Sequence, residues 1–293
     1  MKIRVSVSLL ILLAVAMLAV TGCKGNKSHS DAADTLSNRY VDGVARMPQE
    51  QFELICIQDC PMKQNAEIFK GTNDTLLQRL LPEGKAESSV NVFLVANEKN
   101  YILFDAGLGT NKGGKLREKL AALHVRPEDV TAVILTHFHP DHIGGMIYND
   151  GPAFPNADIY ASVDEYEAWV NGSQKNNNQQ VMEMLACYAN RLNLFQDGDT
   201  LLDAKGDGGL PIIAHDAVGH TPGHTVYEIG DVLITGDLIH AKSLQAEHPE
   251  FSSSYDIDAP QAVLARRHWL QYARDNQKIF AGMHLPLPGT LEE

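Results

Sequence analysis

Apolar and polar residues follow one another in short runs along most of the chain, and the apolar spacing switches between the two-residue period of strands and the longer period of helices. Residues 52–57 and 130–135 are rich in β-branched and other apolar side chains and predict strands. Residues 115–123 and 260–274 carry apolar side chains at helical spacing. The pattern predicts a chain of the α/β class, in which strands and helices interleave.

Several further elements follow from the same pattern. The apolar runs 90–96 and 101–104 flank four polar residues and predict a hairpin. Residues 171–180 are rich in Asn and Gln and predict an exposed loop beside a substrate pocket. The remaining predicted strands are 158–161, 212–214, 226–229 and 232–234, and the remaining predicted helices are 163–170 and 181–192.

The first 23 residues have the pattern of an export signal. Lys2 and Arg4 precede an apolar run of 16 residues, 5–20, which is shorter than the roughly 20 residues that a membrane-spanning helix needs. Val20-Thr21-Gly22-Cys23 is similar to a bacterial lipobox, in which Cys23 becomes the lipid-modified first residue after cleavage. Lys24 then favours the outer membrane, facing the periplasm or the cell surface. A permanent transmembrane helix is the alternative.

The chain divides into three predicted regions: a lipoprotein signal peptide at 1–22, a flexible tether at 23–48 and one folded domain at 49–293. The tether is predicted from its polar composition, rich in Ser, Asn and Asp. No Pro/Gly/Ser-rich linker interrupts the remainder, whose length suits a single large domain.

Charge and cysteine content narrow the function classes. The formal net charge is −13, and loss of the two basic residues of the signal peptide would make it −15. Such a surface repels nucleic acid and anionic membrane, so a small-molecule substrate is expected and a nuclease is not. Three cysteines would remain, Cys56, Cys60 and Cys187. A disulfide between the first two is an open alternative outside the cytoplasm.

Four side chains that can bind a metal fall within six positions directly after the predicted strand 130–135. They are His137, His139, Asp141 and His142. Pro140 ends strand pairing at this point, because it lacks a backbone N–H. Neutral imidazole and carboxylate suit zinc and neighbouring divalent metals. The stretch therefore predicts a metal site at a strand end.

This stretch, His-Phe-His-Pro-Asp-His, resembles the HxHxDH signature of the metallo-β-lactamase superfamily. Three further superfamily motifs follow in the expected order, at 219–225 (Gly-His-Thr-Pro-Gly-His-Thr), 235–237 (Thr-Gly-Asp) and 282–284 (Gly-Met-His). The resemblance spans most of the chain from about residue 50. It implies a four-layer αβ/βα sandwich and two bound divalent ions, with zinc expected and iron, manganese or cobalt left open.

The resemblance also implies a ligand set for the two ions. One ion would be held by His137, His139 and His224, and the other by Asp141, His142 and His284. Asp237 would bridge them, because a carboxylate can span two cations. Three imidazoles leave a coordination position open, which is typical of a catalytic zinc site.

Other residues receive supporting roles. We expect Asp105 to accept a hydrogen bond that orients a ligand histidine or the histidine loop, and His220 to lie outside the ligand set. Phe138 and Trp169 are candidates for the wall of the substrate pocket, with a core position as the alternative for Trp169. His240 lies three residues after Asp237, where related lactonases carry a tyrosine. It is a candidate proton donor to the leaving group, or a non-catalytic pocket residue.

Within the superfamily, residues 139–145, 154–157, 167–169, 236–239 and 284–289 resemble the group of methyl parathion hydrolase and the quorum-quenching lactonases. Asp237 stands where the main β-lactamase subclass carries a cysteine, which disfavours antibiotic hydrolysis. The resemblance implies hydrolysis of a small ester or lactone, including acyl-homoserine lactones, with phosphotriester hydrolysis as a promiscuous activity. A hydroxide held between the ions would attack, oriented by Asp141 or Asp237.

Several alternatives remain open at this stage. A glyoxalase II-like thioesterase or a β-lactamase-type amide hydrolase would use the same metal centre. A zinc-binding surface lipoprotein without catalysis, or an adhesin that uses the fold as a scaffold, would belong to other functional classes. A homodimer is compatible with each of these.

Overall fold

The computed structural model describes residues 41–71, 74–202 and 210–291. The predicted signal peptide, the predicted lipidation site Cys23 and most of the predicted tether lie outside these residues. Within the described residues, no helix combines the length and the apolar character needed to cross a bilayer.

Short strands dominate the described part of the chain, with helices between them. The strands are β1 (Val44–Pro48), β2 (Glu53–Asn65), β3 (Phe69–Lys70), β4 (Lys85–Ala96), β5 (Tyr101–Phe104), β6 (Val130–Ile134), β7 (Ile147–Tyr148), β8 (Gly151–Pro152), β9 (Asp158–Ser162), β10 (Leu192–Phe195), β11 (Thr200–Leu201), β12 (Ile212–Asp216), β13 (Thr225–Ile229), β14 (Val232–Ile234), β15 (Ser252–Ser253) and β16 (Ile279–Ala281). The helices are α1 (Asp74–Leu80), α2 (Leu116–Ala122), α3 (Pro140–Ile143), α4 (Val163–Val170), α5 (Gln179–Tyr188), α6 (Lys242–Gln245) and α7 (Ala259–Asp275).

Two sheets form the centre of the fold. A seven-stranded sheet has the order β1-β2-β4-β5-β6-β9-β10, and a five-stranded sheet has the order β11-β12-β13-β14-β16. The pairs from β5 to β10 and the pair β14-β16 are parallel, and the other pairs in these sheets are antiparallel. The predicted hairpin is confirmed as β4 and β5.

Strand β2 shows how the side-chain alternation separates two cores. Leu54 and Cys56 point into the core between the two sheets, and Ile55 and Ile57 point into the core beneath α2, α4 and α5. A third core lies between α7 and the outer face of the five-stranded sheet. The predicted four-layer αβ/βα sandwich is confirmed.

Strand β1 corrects the predicted boundary at residue 49. Val44–Pro48 pairs antiparallel with β2, from Val44 opposite Ile57 to Pro48 opposite Glu53. The Arg46 guanidinium also forms an ion pair with Glu53, at 2.6 Å. Residues 44–48 therefore belong to the folded domain and not to the tether.

Helix α5 also differs from the prediction of a helix at 181–192. It begins at Gln179 and ends at Tyr188, and Leu192 starts strand β10, which runs parallel to β9. Leu192 lies at a helical spacing of seven residues from Leu185, so the pattern extends the predicted helix beyond its observed end. Residues 192–195 form a strand because they pair with β9.

Loops at the ends of strands carry the polar side chains of the predicted site. Strands β5, β6, β14 and β16 are followed by Asp105, by residues 136–142, by Asp237 and by His284. Residues 217–224 connect β12 to β13. In layered α/β folds, functional groups gather outside the carboxyl ends of strands, and these loops do so here.

Candidate metal centre

Asp237 lies at the centre of a buried cluster of histidines. Its Oδ1 atom lies 3.1 Å from His142 Nε2. Its Oδ2 atom faces the Nε2 atoms of four more histidines, His284 at 3.0 Å, His220 at 3.2 Å, His240 at 3.4 Å and His137 at 3.8 Å. Five imidazoles thus converge on one carboxylate.

Asp105 holds the histidine loop in place, as the sequence predicted. It adopts a left-handed backbone with φ of 63°. Its carboxylate accepts hydrogen bonds from Thr136 N and Thr136 Oγ1, both at 2.8 Å, and from His142 Nδ1 at 2.7 Å. Since Nδ1 of His142 is occupied, Nε2 is left to face the cluster.

Two more histidines are oriented in the same way. His220 Nδ1 lies 2.9 Å from Asp256 Oδ1, and His284 Nδ1 donates to Ser89 O at 2.6 Å. Both rings therefore present Nε2 to Asp237. A hydrogen bond from one ring nitrogen that aims the other is the common arrangement around metal-binding histidines.

The ring nitrogens of His137, His139 and His220 face one another. His139 Nδ1 lies 3.0 Å from His137 Nε2 and 2.9 Å from His220 Nε2. Together with one oxygen of Asp237, these nitrogens all lie within 4.8 Å of one another. Asp141, His142 and His284 form a second group of the same tightness.

His220 and His224 exchange the roles that the sequence predicted for them. His224 Nε2 accepts the backbone N–H of Asp237 at 2.9 Å, and His224 Nδ1 donates to Ala217 O at 3.1 Å. Neither nitrogen is left to bind a metal, so the expectation that His224 is a ligand is wrong. His220, expected to stand outside the ligand set, points into the cluster instead.

The described residues fit divalent cations, as two observations show. His142 Nε2 and Asp237 Oδ1 are buried and face each other at 3.1 Å, yet neither makes a hydrogen bond with the described residues. Burial and neighbouring imidazoles lower the pKa of His139 to about 3, which keeps it neutral at pH 7. Neutral imidazoles and a carboxylate that point at common centres are the donors that zinc-like ions prefer.

His220 differs from His139 in its charge. Burial opposes its protonation, but hydrogen bonds with Asp237 and Asp256 outweigh burial and raise its pKa to about 9. A proton would therefore leave this ring when a cation binds, as metal binding to histidine requires.

His240 lies beneath the cluster and away from solvent. Its ring is fully buried and stacks on His284, with ring centroids 5.0 Å apart and planes at 22°. Neither ring nitrogen has a hydrogen-bond partner among the described residues, since Nε2 meets Asp237 Oδ2 at 3.4 Å without hydrogen-bond geometry. This burial beneath His284 does not favour the predicted proton transfer to a leaving group.

A cavity of about 390 Å³ opens onto the cluster. The floor is formed by His139, Asp141, His220, Asp237 and His284. The walls come from strands β2 and β4, the start of α3 and two loops, and are mostly apolar: Cys60, Met62, Gln64, Val90, Leu108, Pro140 and Tyr255. Cys60, Met62 and Gln64 reach the metal loops because β2 extends past a bulge at Gln58/Cys60, a feature that no local sequence pattern indicates.

Phe138 and Trp169 do not line this cavity, and for Trp169 the alternative of a core position is the observed one. Phe138 is 1% exposed and Trp169 5% exposed, and both pack in the core beneath the helices rather than on the cavity wall.

The polar segment 171–180 is mostly exposed, as predicted, and it lines a neighbouring cavity that shares Leu108 and Pro140 with the first. Cys56 and Cys60 are both free thiols, since Cys56 is buried between the sheets while Cys60 faces the cavity.

Glu165 is a buried residue that the sequence analysis missed. It lies in the first turn of α4 and accepts hydrogen bonds from Phe138 N, Trp169 Nε1, Thr221 Oγ1 and Gly223 N at 2.7–2.9 Å. Burial raises the pKa of its carboxyl, and these hydrogen bonds oppose the rise. An acidic residue in the first turn of a helix is usually solvated, so nothing in the local sequence indicates this role.

Comparison with known proteins identifies the family to which the fold belongs. A family model described as the metallo-beta-lactamase superfamily matches residues 86–284. The exodeoxyribonuclease WalJ of Streptococcus pneumoniae is 42% identical over 59 residues, which are 20% of this chain and 21% of that protein. The probable metallo-hydrolase YqjP of Bacillus subtilis is 36% identical over 74 residues, 25% of this chain and 23% of that protein. The chain thus aligns with about a fifth of the length of these relatives.

Solved structures match over a much longer range. The hydrolase AbOPH of the beta-lactamase superfamily superposes with a TM-score of 0.76 and 27% identity, covering 86% of this chain and 93% of that one. AidC, described as a dizinc quorum-quenching lactonase in complex with a product, N-hexanoyl-L-homoserine, gives a TM-score of 0.73 and 26% identity, covering 85% and 92%. The structural similarity therefore covers more than four fifths of this chain.

Proposed function

Since this chain belongs to the metallo-beta-lactamase superfamily, we propose that it is a metal-dependent hydrolase of small esters or lactones, including acyl-homoserine lactones. The observation that carries the proposal is the position of the histidine and aspartate cluster at the floor of a cavity with apolar walls. A cavity of this kind suits a ligand with an apolar body and one polar reacting group.

The donor geometry supports two ion sites. His137, His139 and His220 would hold one ion, Asp141, His142 and His284 the other, and Asp237 would contact both. When bound, divalent ions supply Lewis acidity that polarises a carbonyl or phosphoryl oxygen and lowers the pKa of water to roughly 7. The similarity to AidC, a dizinc enzyme by its description, supports zinc.

The side chains at the cavity floor have distinct tasks in this proposal. Asp141 is the more exposed of the two acids, with 27% of its side chain accessible against 3% for Asp237. We assign to Asp141 the contact with the attacking water, and to Asp237 the fixed central position that the surrounding imidazoles require. The apolar wall of Met62, Val90 and Leu108 excludes water and contacts the acyl portion of the substrate.

The specific substrate is the finer part of the proposal. The description of AidC names an acyl-homoserine product, which supports a lactone. Phosphotriester hydrolysis is kept as a secondary activity, since it needs the same polarised oxygen and the same attacking water. Thioester and β-lactam hydrolysis are alternatives that one substrate panel distinguishes.

The panel tests metal-loaded protein with acyl-homoserine lactones, aryl esters, a paraoxon-type triester, a thioester and a chromogenic β-lactam. We expect turnover of lactones or aryl esters, loss of it in His137→Ala, and about two ions per chain. Tight binding of metal without turnover of any substrate would contradict the proposal and support a carrier protein. Turnover of the thioester or the β-lactam alone would show that the substrate is of that class and not an ester or lactone.

We further propose that the protein is anchored to the bacterial envelope through lipid-modified Cys23, as the leader sequence predicts. In cells that express the full chain, we expect the protein in the membrane fraction. Cys23→Ser should shift it to the periplasmic or precursor pool. Membrane-bound protein of mature length in that variant would contradict the lipid anchor.

A further inference from the structure

Glu165 connects two loops that belong to different sheets of the sandwich. Its Oε1 atom accepts from Phe138 N at 2.8 Å, and Phe138 lies between the ligand candidates His137 and His139. Its Oε2 atom accepts from Thr221 Oγ1 at 2.7 Å and Gly223 N at 2.9 Å, directly after His220. The first loop follows β6 of the seven-stranded sheet, and the second precedes β13 of the five-stranded sheet.

The chemistry of these contacts requires an acceptor with two free oxygens. Two of the partners are backbone N–H groups and a third is the indole N–H of Trp169, at 2.7 Å from Oε1, and none of these can accept in return. Only the Thr221 hydroxyl could reverse its role. An ionised carboxylate satisfies all four donors, whereas an amide would turn its own donor group toward at least one of them.

The approach of the second loop to α4 is close. A Cβ atom added to Gly223 would lie 2.0 Å from Glu165 N, so this position accepts only glycine without a shift of the backbone. Trp169 gains its position from the same carboxylate and packs edge-on against His139, with ring centroids 5.8 Å apart. The carboxylate thus constrains the surroundings of all three imidazoles of one predicted ion site.

We infer that Glu165 is the positioning residue of the first ion site: it sets the separation of His137 and His139 from His220. The inference rests on the ion sites of the proposed function. The second site has its own supports, since His142 is held by Asp105 and His284 by Ser89 O, and neither makes a hydrogen bond with Glu165. Loss of the carboxylate should therefore weaken one ion site and spare the other.

Glu165→Gln tests this asymmetry, with Glu167→Gln as the matched control. Glu167 lies two positions later on the same helix, on its exposed side, and accepts from Asn171. Stepwise zinc dissociation constants are measured by competition with a chromogenic chelator. In Glu165→Gln we expect one constant to rise about 10–100-fold and the other to stay within about threefold. Both constants should be unchanged in Glu167→Gln.

Two further measurements keep the test independent of activity and of folding. In the metal-free protein, the amides of Phe138 and Gly223 should exchange with deuterium faster in Glu165→Gln than in the control. If Glu165→Gln does not fold, Thr221→Val removes one donor and leaves three, and it should weaken the same single ion site to a smaller degree.

Wild-type values for both constants in Glu165→Gln, or equal weakening of both sites in either variant, would overturn the inference. Wild-type protein that binds two ions but hydrolyses no substrate would overturn the proposed function instead. The two failures are therefore distinguishable.

Discussion

The side chain of His224 supports the backbone of Asp237 and does not point at its carboxylate. The Asp237 N–H donates to His224 Nε2 at 2.9 Å, and a Cβ atom added to the preceding Gly236 would lie 2.4 Å from that same nitrogen. The imidazole therefore fits tightly against residues 236–237. It fixes the position at which the central carboxylate enters the cluster.

Substitution of His224 should affect the stability of the fold, whereas substitution of His220 should affect ion binding and turnover. His224→Ala leaves the Asp237 N–H and Ala217 O without these partners and creates a buried cavity. It should lower the free energy of unfolding of the metal-free protein by about 2–4 kcal/mol. His220→Ala should remove one ion per chain and reduce turnover at least about 100-fold.

Denaturant unfolding of the chelated proteins and metal analysis of the loaded proteins measure these two effects. Loss of an ion in His224→Ala with unchanged stability of the metal-free protein would contradict the assignment. Retention of both ions in His220→Ala would contradict it as well.

Removal of metal should abolish turnover and also destabilise the fold. The cluster gathers acids and imidazoles that only the native chain brings together, so an ion at about 1,000 times its dissociation constant adds about 4 kcal/mol. Thermal unfolding with and without a chelator checks this, and zinc restored in stoichiometric amounts should reverse it. An unfolding temperature that does not respond to the chelator would contradict a metal site within the fold.

The cavity wall should control the length of the acyl group that the enzyme accepts. Met62→Ala removes apolar contact area and should raise KM for a hexanoyl or octanoyl lactone about 3–10-fold, with kcat nearly unchanged. Phe138→Leu is the control, because Phe138 packs in the core. It should reduce stability by about 1–3 kcal/mol and leave KM unchanged. If KM rose in Phe138→Leu and not in Met62→Ala, the cavity wall would be formed by Phe138 and not by Met62.

Stability should depend on pH through Glu228, which lies on strand β13 and is not a ligand candidate. Burial opposes its ionisation, but the hydrogen bond and charge of Lys278, at 2.8 Å, outweigh burial and hold its pKa below the ordinary 4.5. A carboxylate with a lowered folded-state pKa stabilises the fold above the unfolded value, and this contribution disappears as pH falls through the folded value.

Glu228→Gln should therefore destabilise the protein at pH 7, and the difference from wild type should shrink by pH 3. Urea unfolding at pH 7 and pH 3 measures this difference in stability, with Glu98→Gln, a substitution at an exposed residue, as the control. A difference that stays constant with pH would exclude the ion pair as its cause.

The sequence predicted the parts of the site that are local. Residues 137–142 follow a strand at once, so their convergence needs no information from elsewhere in the chain. The fold class follows from the interleaved periodicities, and the αββα layers are confirmed by the three cores.

The remaining parts depend on long-range packing. His220 and His224 flank the same Pro-Gly turn, and only the approach of residues 236–237 decides which ring faces inward. Glu165 and Trp169 sit on a helix whose spacing fits a surface or a core equally well. Strand β1 is too short for its sequence to distinguish it from a tether, and only its pairing with β2 shows that it is a strand.

Strand β4 makes the last ligand candidate depend on the first half of the chain. Ser88 Oγ lies 3.1 Å from His240 O and 2.9 Å from His284 O, and Asn91 Nδ2 donates to Gly282 O and Leu285 O. A newly made chain can therefore offer a full set of donors only after residues almost 200 positions apart have docked. Binding of both ions would then require that the two halves of the chain have docked, which makes it a late step of folding.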